Sequence, residues 1–219
     1  MLDALRRIEK RGALEQARRV TQRCDSVFSY GIAAGLLEYN PAQGIQNALK
    51  KPKKQNYNTI NPKELPDFVD ALKAVNAHPI VKLATEMLML TFVRTGELIS
   101  AQWDEFDLEN KLWEIPAERM KKNRIHLVPL SDRVLEILME LKQYTGHRQW
   151  VFASPSKPRK PLSNNAILQT LRRMGYAGKM TGHGFRHLAS TMLNEMGYNA
   201  DAIERQLAHK DDSLSLIHI

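Results

Sequence analysis

Apolar residues return at three- and four-residue steps from Leu14 through Ala17, Val20, Cys24, Val27 and Phe28 to Gly31 or Ile32. That spacing gathers them on one face of a helix. Arg18, Arg19 and Arg23 fall largely on the opposite face, where they form either a solvated surface or a surface for phosphates. Asn40–Pro41 is expected to stop this helix, because proline disfavours helical geometry in the residue before it. From 50 to 58 the chain reads KKPKKQNYN, without apolar period, and is expected to be an inter-domain linker.

A second, larger unit begins near Asn61. Asn61 followed by Pro-Lys-Glu-Leu has the signature of a helix start, with Pro62 at the first helical position and Glu64 three residues past the cap. Helices are expected over 62–75 and 79–93. The stretches 111–116 and 125–130 read as short strands, and the segment between them as a hairpin with Lys121 near its tip. Ser131 caps a further amphipathic helix over 131–144, and helices are expected over 163–174, 183–196 and 199–209. The fold class is therefore mainly α with a small antiparallel β-sheet (α+β). No internal repeat or low-complexity segment interrupts it.

Composition narrows the function. With 219 residues, 43% of them apolar, the chain can bury a substantial core and a smaller one. The net charge of +8 favours a polyanionic partner. Residues 1–58 hold 11 Lys or Arg against 5 Asp or Glu, a net +6 of that total. Cys24 is the one cysteine, so no internal disulfide can form and a reducing, cytoplasmic setting is expected. No apolar run approaches a membrane span and no signal peptide opens the sequence.

The candidate chemistry lies in four motifs: Arg94 in TFVRTGEL, Lys121 in ERMKKNRIHLVPLS, His183 and Arg186 in TGHGFRH, and His209 in QLAHKD. A phosphodiester under attack gathers negative charge on its non-bridging oxygens, and fixed donors must meet it where no metal does. Arginine bonds two phosphate oxygens and stays protonated, while lysine or histidine can protonate the leaving oxygen. His183 and Arg186, at i and i+3, share a helix face. Singly, each residue also reads as a surface charge or a solvated histidine. His183 and His187 stand at zinc-ligand spacing, but Gly184 occupies the place where a helical zinc-protease motif needs glutamate. No metal or cofactor is expected.

Together these motifs resemble the phage integrases among the tyrosine recombinases: R-T-G-E-L around Arg94, M-K-x-x-R-x-H-x-V-P-L-S from Met120 to Ser131, H-G-F-R from His183 to Arg186, and L-A-H at 207–209. The likeness runs from about Leu2 to Asp211. It implies a partial helical core-binding domain over 1–49, a basic linker over 50–59 and a recombinase catalytic domain over 60–213. Arg94 and Arg186 would bind the scissile phosphate, Lys121 would be the general acid, and His183 and His209 would complete the pocket. Glu97 matches an acidic position that orients its neighbours. His126 belongs to the strand motif and receives no catalytic role. Double-stranded DNA is the implied partner, with Arg18, Arg19, Arg23, Lys50, Lys51, Lys53 and Lys54 as candidate contacts and a homotetramer as the implied full-length assembly.

The family's nucleophile is a tyrosine about ten residues after the last histidine, near position 219, where this chain has Ile219. The six tyrosines, at 30, 39, 57, 144, 176 and 198, all precede His209. The resemblance therefore implies a fragment truncated at both ends, with LSLIHI (214–219) set apart as suspected non-native read-through. Such a chain is expected to bind DNA without cleaving it. The alternatives are a non-catalytic DNA-binding remnant that occupies recombination sites and, less well matched by the motif wording, a topoisomerase.

Overall fold

The structure, a computed structural model, describes residues 1–51, 58–120 and 123–208. The chain divides into two compact units, 1–56 and 57–219.

In the first unit, α1 (Leu2–Lys10) packs on α2 (Leu14–Ala33). Leu5, Ala17 and Leu49 are buried between them, with Leu2, Ile8, Val20 and Ile45 around the edge. α1 was not anticipated, although Leu2, Leu5 and Ile8 repeat every three residues. Val27 departs from the expected apolar face and is 66% exposed. Helix α2 also stops earlier than expected. The Gly35 amide bonds the Ile32 carbonyl and the Leu36 amide the Gly31 carbonyl, with Gly35 in the left-handed region at φ 68. Such a turn closes the last carbonyls of a helix without proline. Asn40 folds back instead: its Nδ2 donates to Asp25 Oδ1 at 2.9 Å and to Ser29 Oγ at 3.1 Å.

The second unit is built around α4 (Pro79–Thr91), which packs against α3 (Leu65–Ala74), α5 (Thr95–Ile99), α6 (Asp132–Thr145), α7 (Asn164–Arg173) and α8 (Gly184–Glu195). Ala84, Met87 and Leu88 are fully buried along it. A short α9 (Ala200–Gln206) follows α8. The sheet is antiparallel in the order β1 (Phe106–Asp107), β2 (Leu112–Ile115), β3 (His126–Pro129), with Trp113 opposite Val128 and Ile115 opposite His126. Trp113 and Ile115 are fully buried, and the Trp113 ring stacks on Phe106 at 5.0 Å. Among the described residues the protein is mainly helical with one small antiparallel sheet.

The caps show how local sequence sets these boundaries. Asn61 and Glu64 form the anticipated capping box, although the first turn is a 3-10 turn that leads into α3. Ser131 accepts from the Val134 amide at 3.4 Å. Helix α4 ends two residues before the expected 93 because Phe92 turns left-handed, at φ 58. That conformation is uncommon for a residue with a large side chain. Its consequence is that Val93 and Arg94 leave the helix and α5 starts in a new direction. Among the described residues no helix is long and apolar enough to cross a membrane.

Candidate phosphate site

Arg94 is the N-cap of α5, and Glu97 reaches back to it twice. Glu97 Oε2 accepts the Arg94 amide at 2.8 Å, and Oε1 accepts the Arg94 guanidinium at 2.6 Å. Glu97 is buried, and the Arg94 side chain is 29% exposed. The carboxylate thus caps the helix and aims the guanidinium with one side chain.

Arg186 comes from α8 and is 3% exposed. Its two terminal nitrogens donate to the Phe92 and Leu207 carbonyls. Its Nε has no partner among the described residues. Burial holds the guanidinium down to about 10, helped by the like charge of Arg94 and opposed by Glu97 and Glu204. Two arginines therefore converge, with Glu97 as the carboxylate bonded directly to one of them. A buried cation without full compensation is costly, and an arriving anion relieves that cost.

The turn before α8 is tightly seated. A Cβ on Gly182 would lie 2.3 Å from Thr95 Oγ1, and one on Gly184 would lie 2.4 Å from the Asn58 carbonyl oxygen. Thr59 Oγ1 donates to the Gly184 carbonyl at 3.0 Å, and Asn58 Nδ2 to the Gly178 carbonyl. Gly184→Ala is expected to destabilise the second unit by about 2 kcal/mol, since backbone lies in the path of the added methyl. Urea unfolding measures that loss, and an unchanged midpoint would contradict the packing described.

His183, the N-cap of α8, is exposed. The Gly184 amide is taken by Thr181 Oγ1 at 3.0 Å. Although His183 and Arg186 are three residues apart, one lies at the surface and the other inside. Lys121 and His209 lie outside the described residues, as do Lys53 and Lys54. In the first unit, Arg18 and Arg19 both approach the carboxylate of Glu15, at 3.8 and 3.2 Å. Such exposed pairs contribute little. Arg23, Lys50 and Lys51 are exposed as well.

Three groups not assigned a site role from sequence also join the site. Arg119 bonds Glu105, the Glu97 carbonyl and Ser100 Oγ, which ties the end of the β2 stem to α5. Gln206 Nε2 donates to the Thr91 carbonyl at 3.0 Å. His126, 8% exposed, is held below the ordinary histidine range by burial first. Glu97 and the Gln206 backbone oppose that shift, and Arg186 and Arg94 reinforce it. Inward–outward alternation in β3 was the available signal for His126: His126 and Val128 are buried, while Leu127 is 52% exposed.

Comparison with known proteins decides the family. Residues 58–217 match the phage integrase family, and residues 1–48 match the phage integrase central domain. The chain belongs to the phage integrase family of tyrosine recombinases. This integrase-family chain is 41% identical to the integrase of Shigella phage Sf6 over 210 residues, 95% of its own length and 54% of that relative. A prophage integrase of Escherichia coli (strain K12) matches at the same identity and coverage. The chain thus spans about half the length of the curated relatives it matches. The fold is shared with the Tn1549 transposon integrase in complex with a circular intermediate DNA, at TM-score 0.75 and 12% identity over 96% of this chain and 76% of that one. A lambda integrase dimer bound to a COC' core site matches at TM-score 0.73 and 20% identity, over 100% of this chain and 81% of that one.

Proposed function

We propose that this chain is the DNA-gripping part of a site-specific integrase, which binds a backbone phosphate between Arg94 and Arg186. The observation that carries this reading is the buried Arg186, beside a second arginine and with its Nε unpartnered among the described residues. Duplex DNA is the partner, in keeping with the DNA-bound relatives of the same fold. Residues 60–213 serve as the catalytic domain, 1–49 as part of the core-binding domain and 50–59 as the basic linker. A homotetramer on paired sites is the assembly, by analogy with a lambda integrase tetramer bound to a Holliday junction. The site of action is cytoplasmic, in keeping with the lone Cys24.

In this reading the guanidiniums bind the non-bridging oxygens of the phosphate and stabilise their added charge during attack. Glu97 keeps Arg94 aimed. Lys121 acts as the general acid toward the leaving 5′ oxygen, and His183 and His209 close the pocket, with His183 the proton acceptor for a nucleophile. No metal or other cofactor takes part. Arg18, Arg19, Arg23 and Lys50, Lys51, Lys53 and Lys54 lie along the DNA backbone and supply salt-sensitive affinity.

None of the six tyrosines follows His209. The 219 residues by themselves are therefore expected to bind duplex DNA without becoming attached to it. A nicked suicide duplex that carries an attachment sequence tests this. The expected result is a retarded complex that denaturant dissolves completely. A covalent protein–DNA adduct would overturn the assignment of the nucleophile's place.

A further inference from the structure

Glu97 is gripped from both of its ends. Its carboxylate holds Arg94, and its main-chain carbonyl accepts a hydrogen bond from Arg119 Nη2. The same Arg119 nitrogen donates to Ser100 Oγ at 2.9 Å, and that hydroxyl donates to the Gly96 carbonyl at 2.6 Å. Ser100 is the C-cap of α5, so both contacts hold the end of the helix away from Arg94. Carbonyls at a helix C-terminus have no partner within the helix, and a cation meets them favourably. Arg119 comes from a short 3-10 turn (Ala117–Arg119) that follows β2. Its other terminal nitrogen pairs with Glu105, whose second oxygen accepts from Trp113 Nε1 at 2.9 Å. Trp113 is fully buried in the sheet, and the Arg119 and Glu105 side chains are 16% and 7% exposed.

Resting on the proposed phosphate reading, we infer that Arg119 is a positioning residue of the site: braced by Glu105 and Trp113, it locks the C-terminal end of α5 so that Glu97 presents the Arg94 guanidinium to the phosphate. A helix of five residues is too short to hold its own place, so its direction is set by what grips it. Leu98 and Ile99 bury its apolar side, and Arg119 adds the directional bonds. A planar guanidinium suits that task, because fixing one side of the fork against Glu105 fixes the other side as well. The contacts run from the sheet through Arg119 and Glu97 to Arg94. Arg186 takes its bonds elsewhere, from the Phe92 and Leu207 carbonyls. Loosening the brace should therefore reach one arginine of the pair and spare the other.

The test compares the full chain with Arg119→Met and with the double variant Arg119→Met/Glu105→Gln. The single change leaves the Glu105 carboxylate buried without its cation, which costs stability by itself. Adding Glu105→Gln removes that charge and keeps an acceptor for Trp113, so the melting temperature should recover while the grip on α5 stays lost. Should Arg119→Met fail to fold, the double variant makes the same comparison. The first readout is solvent exchange of the Arg94 and Arg186 side-chain N–H signals, well below the melting temperature. The second is inorganic phosphate affinity, followed by the width of the phosphate 31P signal. In both variants Arg94 exchange should speed at least about tenfold while Arg186 stays within about twofold. Phosphate affinity should fall about tenfold, the low end for losing an outer partner of a ligating group.

Arg94 exchange or phosphate affinity that keeps its wild-type value in both variants would overturn the inference. So would an affinity that returns with the melting temperature in the double variant, or equal speeding at Arg94 and Arg186. Either is what a merely structural ion pair would give. If the wild type itself shows no phosphate binding, the phosphate reading fails instead. The exchange comparison still decides whether Arg119 holds Arg94 in place.

Discussion

Arg186→Met is expected to weaken duplex binding about 30-fold, or about 2 kcal/mol, the lower end of the loss when a buried, bonded charge is truncated. The slope of log affinity against log salt should become shallower by about one. The fold should barely notice. Methionine fills the space, and it removes a guanidinium whose affinity for its proton is depressed to about 10 by burial and by Arg94. A cation with a folded pKa below its unfolded value counts against folding at every pH below the folded value. That penalty fades as pH rises from about 10 toward the unfolded value. Its removal offsets the loss of the hydrogen bonds to the Phe92 and Leu207 carbonyls. The melting temperature should therefore stay within about 3 °C of the wild type, while binding falls. Fluorescence anisotropy and thermal melts on the same two proteins measure both. Undiminished binding would remove Arg186 from the phosphate site.

Glu97→Ala should do the reverse and strike stability first. Glu97 is buried, caps α5 through the Arg94 amide and is the carboxylate bonded to the Arg94 guanidinium. Without it, two cations face each other across a partly dry site and the start of α5 loses its cap. The expected loss is about 3 kcal/mol, the scale for breaking a largely buried pair from one side. The same change should make the protein more responsive to anions, because an added sulfate or phosphate takes over the place of the carboxylate. A thermal melt with and without about 20 mM phosphate should show a larger anion-dependent rise in Glu97→Ala than in the wild type. Equal rises would mean that Glu97 does not compensate the arginine pair.

Much of the fold was legible because its signals are local. Asn61 with Glu64 and Ser131 before an amphipathic run mark helix starts through side chains that must meet nearby amides. The alternation in 125–130 marks β3 because one face of the sheet is buried. The misses have physical causes as well. Helix α1 interleaves Leu2, Leu5 and Ile8 with charges, and α5 is too short for a period to show. The end of α2 depends on Gly35 turning left-handed, and the end of α4 on Phe92 doing so.

For the site, the motifs supplied Arg94 and Arg186 but not what surrounds them. The carbonyls of Phe92, Leu207 and Ala208 are main-chain atoms, and any residue type could supply them. Arg119 reads as one of several basic residues in a hairpin until Glu105 and Ser100 are seen beside it. His126 reads as a strand residue until its burial within reach of Glu97 and the two arginines is seen.

The central claim is that Arg94 and Arg186 jointly hold a DNA phosphate. The most direct measurement follows their side-chain Nε–H signals by NMR while duplex DNA is added to the 219-residue chain. The Arg186 Nε, buried and without a partner among the described residues, should give a slowly exchanging signal. Both arginine signals should move together and saturate with the binding curve. Saturated binding that perturbs Arg18, Arg19 or Arg23 while leaving Arg94 and Arg186 still would contradict the account.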